Sequence, residues 1–138
     1  MQIRTASLCF AMSALGVAVP AYAHHSFPVQ YDASKPITLT GKVTKVEWTN
    51  PHIFIYVDVP DEATGEVVNW ALEMGGPNAL LRLGWKRDSI KADDLITVEG
   101  SRARDGSHLA NATSIVMAAT GERMLTGSSS GTRGADTF

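Results

Sequence analysis

The chain has 138 residues, the length of one domain, and its formal net charge is −2 at pH 7. This slightly acidic balance argues against nucleic acid as a partner, because phosphate binding requires a basic surface. The single cysteine, Cys9, lies near the N-terminus, and the rest of the chain has no thiol. A disulfide is therefore excluded, and stability must come from packing.

The N-terminal segment has the features of an export signal. Arg4 supplies a positive charge, an apolar run follows from Ala6 to Val19, and Ala21-Tyr22-Ala23 is a small-x-small cleavage site. The run is short for a membrane span, and no later stretch approaches the roughly 18 apolar residues that a span requires. We predict a signal peptide over residues 1–23, cleavage after Ala23, and a periplasmic or secreted protein that does not span the membrane when mature.

The mature chain is predicted to begin with an extended segment, residues 24–36, whose aromatic side chains anchor it to the domain. Apolar residues then alternate from Ile37 to Val43, which is the period of a strand. The phase slips near Thr44-Lys45, which indicates a β-bulge. Gly41, in the middle of this strand, predicts a sharp bend.

Further strands and one short helix follow. The Asn50-Pro51 turn precedes a run of strict alternation, and Gly84 ends a stretch of helix-forming residues. Residues 126–138 are rich in Gly, Ser and Thr, and we predict that this tail is disordered. The predicted elements are strands His52–Val59 and Glu66–Met74, helix Asn78–Leu83, strands Leu95–Gly100 and Leu109–Met117, and a short edge piece at Met124-Leu125.

This order of elements predicts the fold class. Three strands, one short helix and two strands, with a long bent first strand, are typical of a five-stranded OB-like barrel. We therefore predict a β-rich domain over residues 37–125, in the order β-β-β-α-β-β. A small open β-sandwich would use the same strands and remains the alternative.

The histidines are the strongest candidates for chemistry. Cleavage after Ala23 makes His24 the first residue, so its α-amine and ring can chelate copper together. His25 or His52 would add a second imidazole, and Asn50 or Glu73 would support the ligands by hydrogen bonding to them. Cleavage after Ala21 would instead place His24 third in the chain, which is also a Cu(II) chelate. Zinc fits less well, because no cysteine is present and a structural zinc site uses four closely spaced ligands.

Other interpretations stand beside this one. Paired histidines at a chain end are often ordinary polar residues, and a histidine after a proline is often a hydrogen-bonded structural residue. In the main rival hypothesis, a non-metal module binds a protein or a small polar ligand on its β face, through Trp48, Asn50 and Tyr56. The strand aromatics equally suit the core.

No catalytic constellation is visible in the sequence. The strand carboxylates are isolated, and there is no phosphate-binding loop and no nucleophile elbow. An oxidase with an N-terminal histidine copper site is a third option, but the chain is small for the extended substrate surface that such enzymes use. We predict a binding protein rather than an enzyme.

Several motifs together resemble a family of small exported bacterial proteins of unknown function, and the resemblance extends to about Leu125. It implies an exported, single-domain β protein and no particular activity or ligand. The motifs are His24-His25-Ser26-Phe27, Tyr31-Asp32, Gly41-x-Val43, Trp48-x-Asn50-Pro51-His52 and Leu83-Gly84-Trp85.

Overall fold

The computed structural model describes residues 27–128. The predicted β-rich class is confirmed: strands predominate, and one short helix lies between the third and fourth strands, preceded near the start of the described chain by a single helical turn. The elements are α1 (Phe27–Gln30), β1 (Tyr31–Glu47), β2 (Phe54–Pro60), β3 (Val67–Glu73), α2 (Pro77–Arg82), β4 (Leu95–Ala103), β5 (Leu109–Met117) and β6 (Arg123–Leu125).

The strands form one sheet in the order β3-β2-β1-β4-β5-β6, with antiparallel neighbours. In addition, β3 pairs in parallel with β5, through residues 71–73 of β3 and 109–111 of β5. The sheet order therefore returns from β5 to β3. This second pairing gives the end of β3, where Glu73 lies, a hydrogen-bonded neighbour on both sides.

The long first strand pairs with two neighbouring strands, and its sequence allows the change from one partner strand to the other. It pairs with β4 up to Lys42 and with β2 from Lys42 onward, and the predicted bulge is confirmed between Val43 and Lys45. A Cβ atom on Gly41 would lie only 2.3 Å from the carbonyl oxygen of Asp58. Glycine is needed there because the backbones of β1 and β2 approach too closely for any side chain.

The core follows from strand alternation. Ile55 and Val57 of β2 and Leu72 of β3 are fully buried, as the period of two predicts. Helix α2 adds Leu80, also fully buried, and the chain leaves it at Gly84 with a φ of +90°, a conformation that favours glycine. In the described part of the chain, no helix is long and apolar enough to cross a membrane.

The ends of the domain differ from the predicted boundaries. β1 already begins at Tyr31, inside the predicted extended segment, because Tyr31 pairs with Ala103 of β4. The predicted disordered tail starts too early. Thr126 is buried, its hydroxyl donates to the carbonyl of Ala112, and its own carbonyl accepts from the Gly75 amide at 2.8 Å. The predicted signal peptide, residues 1–23, and residues 129–138 lie outside the described residues.

Candidate functional site

A buried carboxylate lies at the end of β3. Side chains alternate between the two faces of a strand, which predicts that Glu73 lies on the face of β3 opposite the core residues. Only 5% of its surface is nevertheless exposed. Tyr31, the first residue of β1, is itself buried, and its hydroxyl donates a hydrogen bond to Oε2 of Glu73. The end of β3 is thus covered by the beginning of β1, which brings a phenol onto the carboxylate.

The second partner of Glu73 is His52. Its Nδ1 lies 2.5 Å from Oε1 of Glu73, and about a third of the side chain, 36%, is exposed. Backbone hydrogen bonds fix this position: the Ile53 amide donates to the Gly75 carbonyl at 3.2 Å, and the Met74 amide donates to the Ile53 carbonyl at 2.9 Å. The residue after His52 is therefore tied to the residues that follow Glu73. We refer to Tyr31, His52 and Glu73 as the Glu73 cluster.

The hydrogen bonds of the cluster have a defined direction, from donor to acceptor. Burial and the hydrogen bond to Glu73 raise the pKa of Tyr31, so its phenol remains a proton donor to the carboxylate. A carboxylate against Nδ1 of a neutral imidazole holds the proton on that nitrogen and leaves a lone pair on Nε2. The His52 side chain is partly exposed, and Nε2 is the ring nitrogen that the contact with Glu73 leaves for another partner.

The start of the described chain is connected to the same cluster. The ring of Phe27 lies 5.4 Å from the ring of Tyr31, centroid to centroid. Arg104 holds the turn α1 in place, donating from Nε to the Pro28 carbonyl at 2.8 Å and from its amide to the Gln30 carbonyl at 3.0 Å. The backbone that leads to the histidine pair is therefore anchored next to Tyr31.

The predicted metal ligands are only partly within the described residues. His52 is placed as above, whereas His24 and His25 precede the described part and are not located by the structure. Between residues 27 and 128, no group of three or more His, Cys, Asp or Glu side chains is arranged to hold a metal ion.

The predicted β-face residues have different surroundings. Trp48 is half-buried and packs against the core. Tyr56 is half-buried as well, its hydroxyl donates to Oε2 of Glu47 at 3.0 Å, and Nζ of Lys45 lies 5.3 Å from the centre of its ring. Asn50 is exposed, in the turn before His52. Trp48 and Tyr56 thus have protein neighbours for much of their surface.

Sequence reasoning found part of the cluster and missed the rest. The sequence indicates Glu73 as a possible support for a histidine ligand, and the structure places it against His52. For Tyr31 the sequence predicts only an anchor of the N-terminal segment, and it does not reveal the bond to Glu73, because the two residues are 42 positions apart in the chain. The Tyr31-Asp32 motif of the family resemblance was the one available signal that this tyrosine has a role.

Of the comparisons with known proteins, one identifies a family, and its function is unknown. No curated protein matches the chain. A family model matches residues 13–112, which is most of the sequence and includes every residue of the Glu73 cluster. The chain therefore belongs to a family of unknown function, DUF6152.

Proposed function

We propose that this protein is an exported, periplasmic binding protein that holds a copper ion through His52 and the N-terminal histidines His24 and His25. The observation that carries the proposal is the contact between Nδ1 of the partly exposed His52 and the buried Glu73. A carboxylate that accepts a hydrogen bond from one ring nitrogen and so orients the ring commonly accompanies a metal-binding histidine.

The proposed scaffold is an OB-like barrel. The parallel pairing of β3 with β5, added to the order β3-β2-β1-β4-β5, supports a closed arrangement of five strands. The position of α2 between the third and fourth strands supports it further. In this scaffold the Glu73 cluster lies at one end of β3, beside the point where the N-terminal segment joins β1.

The remaining ligands would come from the chain end. His25 is two residues before Phe27, and two extended residues reach at most about 7 Å. Phe27 packs on Tyr31, and Tyr31 is bonded to the carboxylate that holds His52. A free α-amine and two or three imidazoles give a nitrogen donor set that suits Cu(II), and the Irving–Williams order favours copper over zinc there.

The rival function has less support. A non-metal ligand on the β face would use Trp48, Asn50 and Tyr56, but Trp48 packs against the core and the Tyr56 hydroxyl is already bonded to Glu47. At His52 the bond to Glu73 occupies Nδ1, and among residues 27–128 no hydrogen bond is found at the other ring nitrogen.

The proposal is tested by Cu(II) titration of the exported protein, after intact-mass determination has established its first residue. We expect one copper ion per chain, and we expect the double variant His24→Ala/His25→Ala to lose at least about tenfold in affinity, because chelating donors are removed. His108→Ala is the matched control, since that histidine is exposed and lies outside the cluster. An unchanged affinity in the double variant would contradict the proposal.

A further inference from the structure

A second feature of the molecule is a cleft of about 410 Å³ beside Trp70, which we call the Trp70 cleft. It lies toward the start of β3, whereas the Glu73 cluster lies at the end of that strand. Apolar side chains from three strands line it, and its size is that of a small-molecule site, for which about 300–1,000 Å³ is typical. These apolar residues are Leu39, Val59, Val68 and Trp70.

Two basic side chains line the cleft next to this tryptophan. The guanidinium carbon of Arg102 lies 5.3 Å from the centre of the Trp70 ring, and the ring of His108 lies 5.1 Å from it, centroid to centroid. Arg102 comes from the end of β4, and His108 comes from the loop that follows. A permanent positive charge thus lies against an aromatic surface, where contact with the ring favours the cation.

The hydrogen bonding of Arg102 is incomplete. Its Nη2 donates to the Gly106 carbonyl at 2.8 Å, but its Nε is buried and has no acceptor among the described residues. A buried donor without an acceptor is unfavourable, and hydrogen bonds from charged donors are stronger than neutral ones. A carboxylate is the acceptor that matches a guanidinium best, so a small movement of this side chain on binding would satisfy a donor that is now unpaired.

Negative charge also lines the cleft. Asp61 and Glu62, in the loop between β2 and β3, both line it. The Thr64 and Ala63 amides donate to the carboxylate of Asp61, each at 2.9 Å, and these bonds hold its pKa below the usual range. Asp61 is therefore charged at neutral pH and would repel a second negative charge on a ligand.

We infer that the Trp70 cleft binds a small monocarboxylate with an apolar body. The carboxylate pairs with Arg102, and the apolar body contacts the partly exposed aliphatic side chains beside Trp70, namely Leu39, Val59 and Val68. The carboxylates of Asp61 and Glu62, which also line the cleft, disfavour a second negative charge on the ligand. This site shares no residue with the Glu73 cluster and needs no metal ion.

The experiment uses metal-free protein and follows the indole N–H signal of Trp70 by NMR, assigned through the variant Trp70→Phe. Phenylacetate is the probe, and phenylacetamide is the neutral probe of the same shape. We expect phenylacetate to shift the Trp70 signal in a saturable way and to bind at least about tenfold more tightly than phenylacetamide. Malonate, a small dicarboxylate, is expected to bind more weakly than phenylacetate.

The variant Arg102→Gln is expected to lose at least about tenfold in phenylacetate affinity. Arg87→Gln, which changes an exposed arginine outside the cleft, is expected to bind as the unaltered protein does. His52→Ala is also expected to bind phenylacetate normally, which separates this inference from the copper proposal. Equal binding of the two phenyl probes, unchanged affinity in Arg102→Gln, or no saturable shift at about 10 mM phenylacetate would each overturn the inference.

Discussion

Replacing Glu73 with alanine is expected to lower the free energy of unfolding by about 2–4 kcal/mol, measured by urea denaturation at neutral pH. The substitution removes a buried side chain and leaves the hydroxyl of Tyr31, which is also buried, without its acceptor. His52 contributes little to this loss, because its partly exposed ring can bond to water instead.

Glu99→Ala is the matched control for this prediction. Glu99 is likewise a strand carboxylate with two partners, accepting from Ser114 at 2.9 Å and from Arg123 at 2.6 Å, but its side chain is 46% exposed. Its loss should cost less than about 1 kcal/mol. Tyr31→Phe combined with Glu73→Gln in a double-mutant cycle isolates the bond between them. If Glu73→Ala and Glu99→Ala lower the free energy of unfolding equally, the burial of Glu73 does not contribute to stability.

Replacing His52 with alanine is expected to lower Cu(II) affinity by about 100-fold or more. This variant removes a ring that supplies one ligand nitrogen, and loss of an outer partner alone typically costs 10–100-fold. We therefore expect a larger loss of affinity than for a residue that only hydrogen-bonds to a ligand. The affinity is measured by competition with a chelator of known copper affinity.

The control for this prediction is again His108→Ala, which removes an exposed imidazole at the Trp70 cleft. Urea denaturation of both variants in the absence of metal shows whether each is folded before its copper affinity is compared. If the two alanine variants bind Cu(II) equally well, His52 is not a ligand and the copper proposal is wrong.

Much of the fold is predictable from local sequence. Strict alternation after the Asn50-Pro51 turn locates the buried residues of β2, and the predicted fifth strand, Leu109–Met117, has the bounds that the structure shows. The phase slip after Val43 correctly indicates a bulge, because a bulge moves all later side chains to the other face. These features depend on neighbours within a few residues.

The candidate site is less predictable because it depends on contacts between distant parts of the chain. Alternation assigns Glu73 to an outer face, whereas in the fold it is buried and Tyr31, from the beginning of β1, donates to it. Thr126 illustrates the same limit at the other end of the domain. The composition of residues 126–138 predicts a disordered tail. The carbonyl of Ala112 and the amide of Gly75 nevertheless provide hydrogen-bond partners for Thr126 that no local pattern reveals.

The central claim is that Glu73 holds the proton of the His52 ring on Nδ1 and leaves Nε2 free to bind. The most direct test is a long-range ¹H–¹⁵N NMR spectrum of the metal-free protein, which shows which nitrogen of a neutral imidazole carries the proton. We predict that Nδ1 of His52 carries the proton, that Nε2 does not, and that Glu73→Gln weakens this preference. A proton on Nε2 in the unaltered protein would contradict the account.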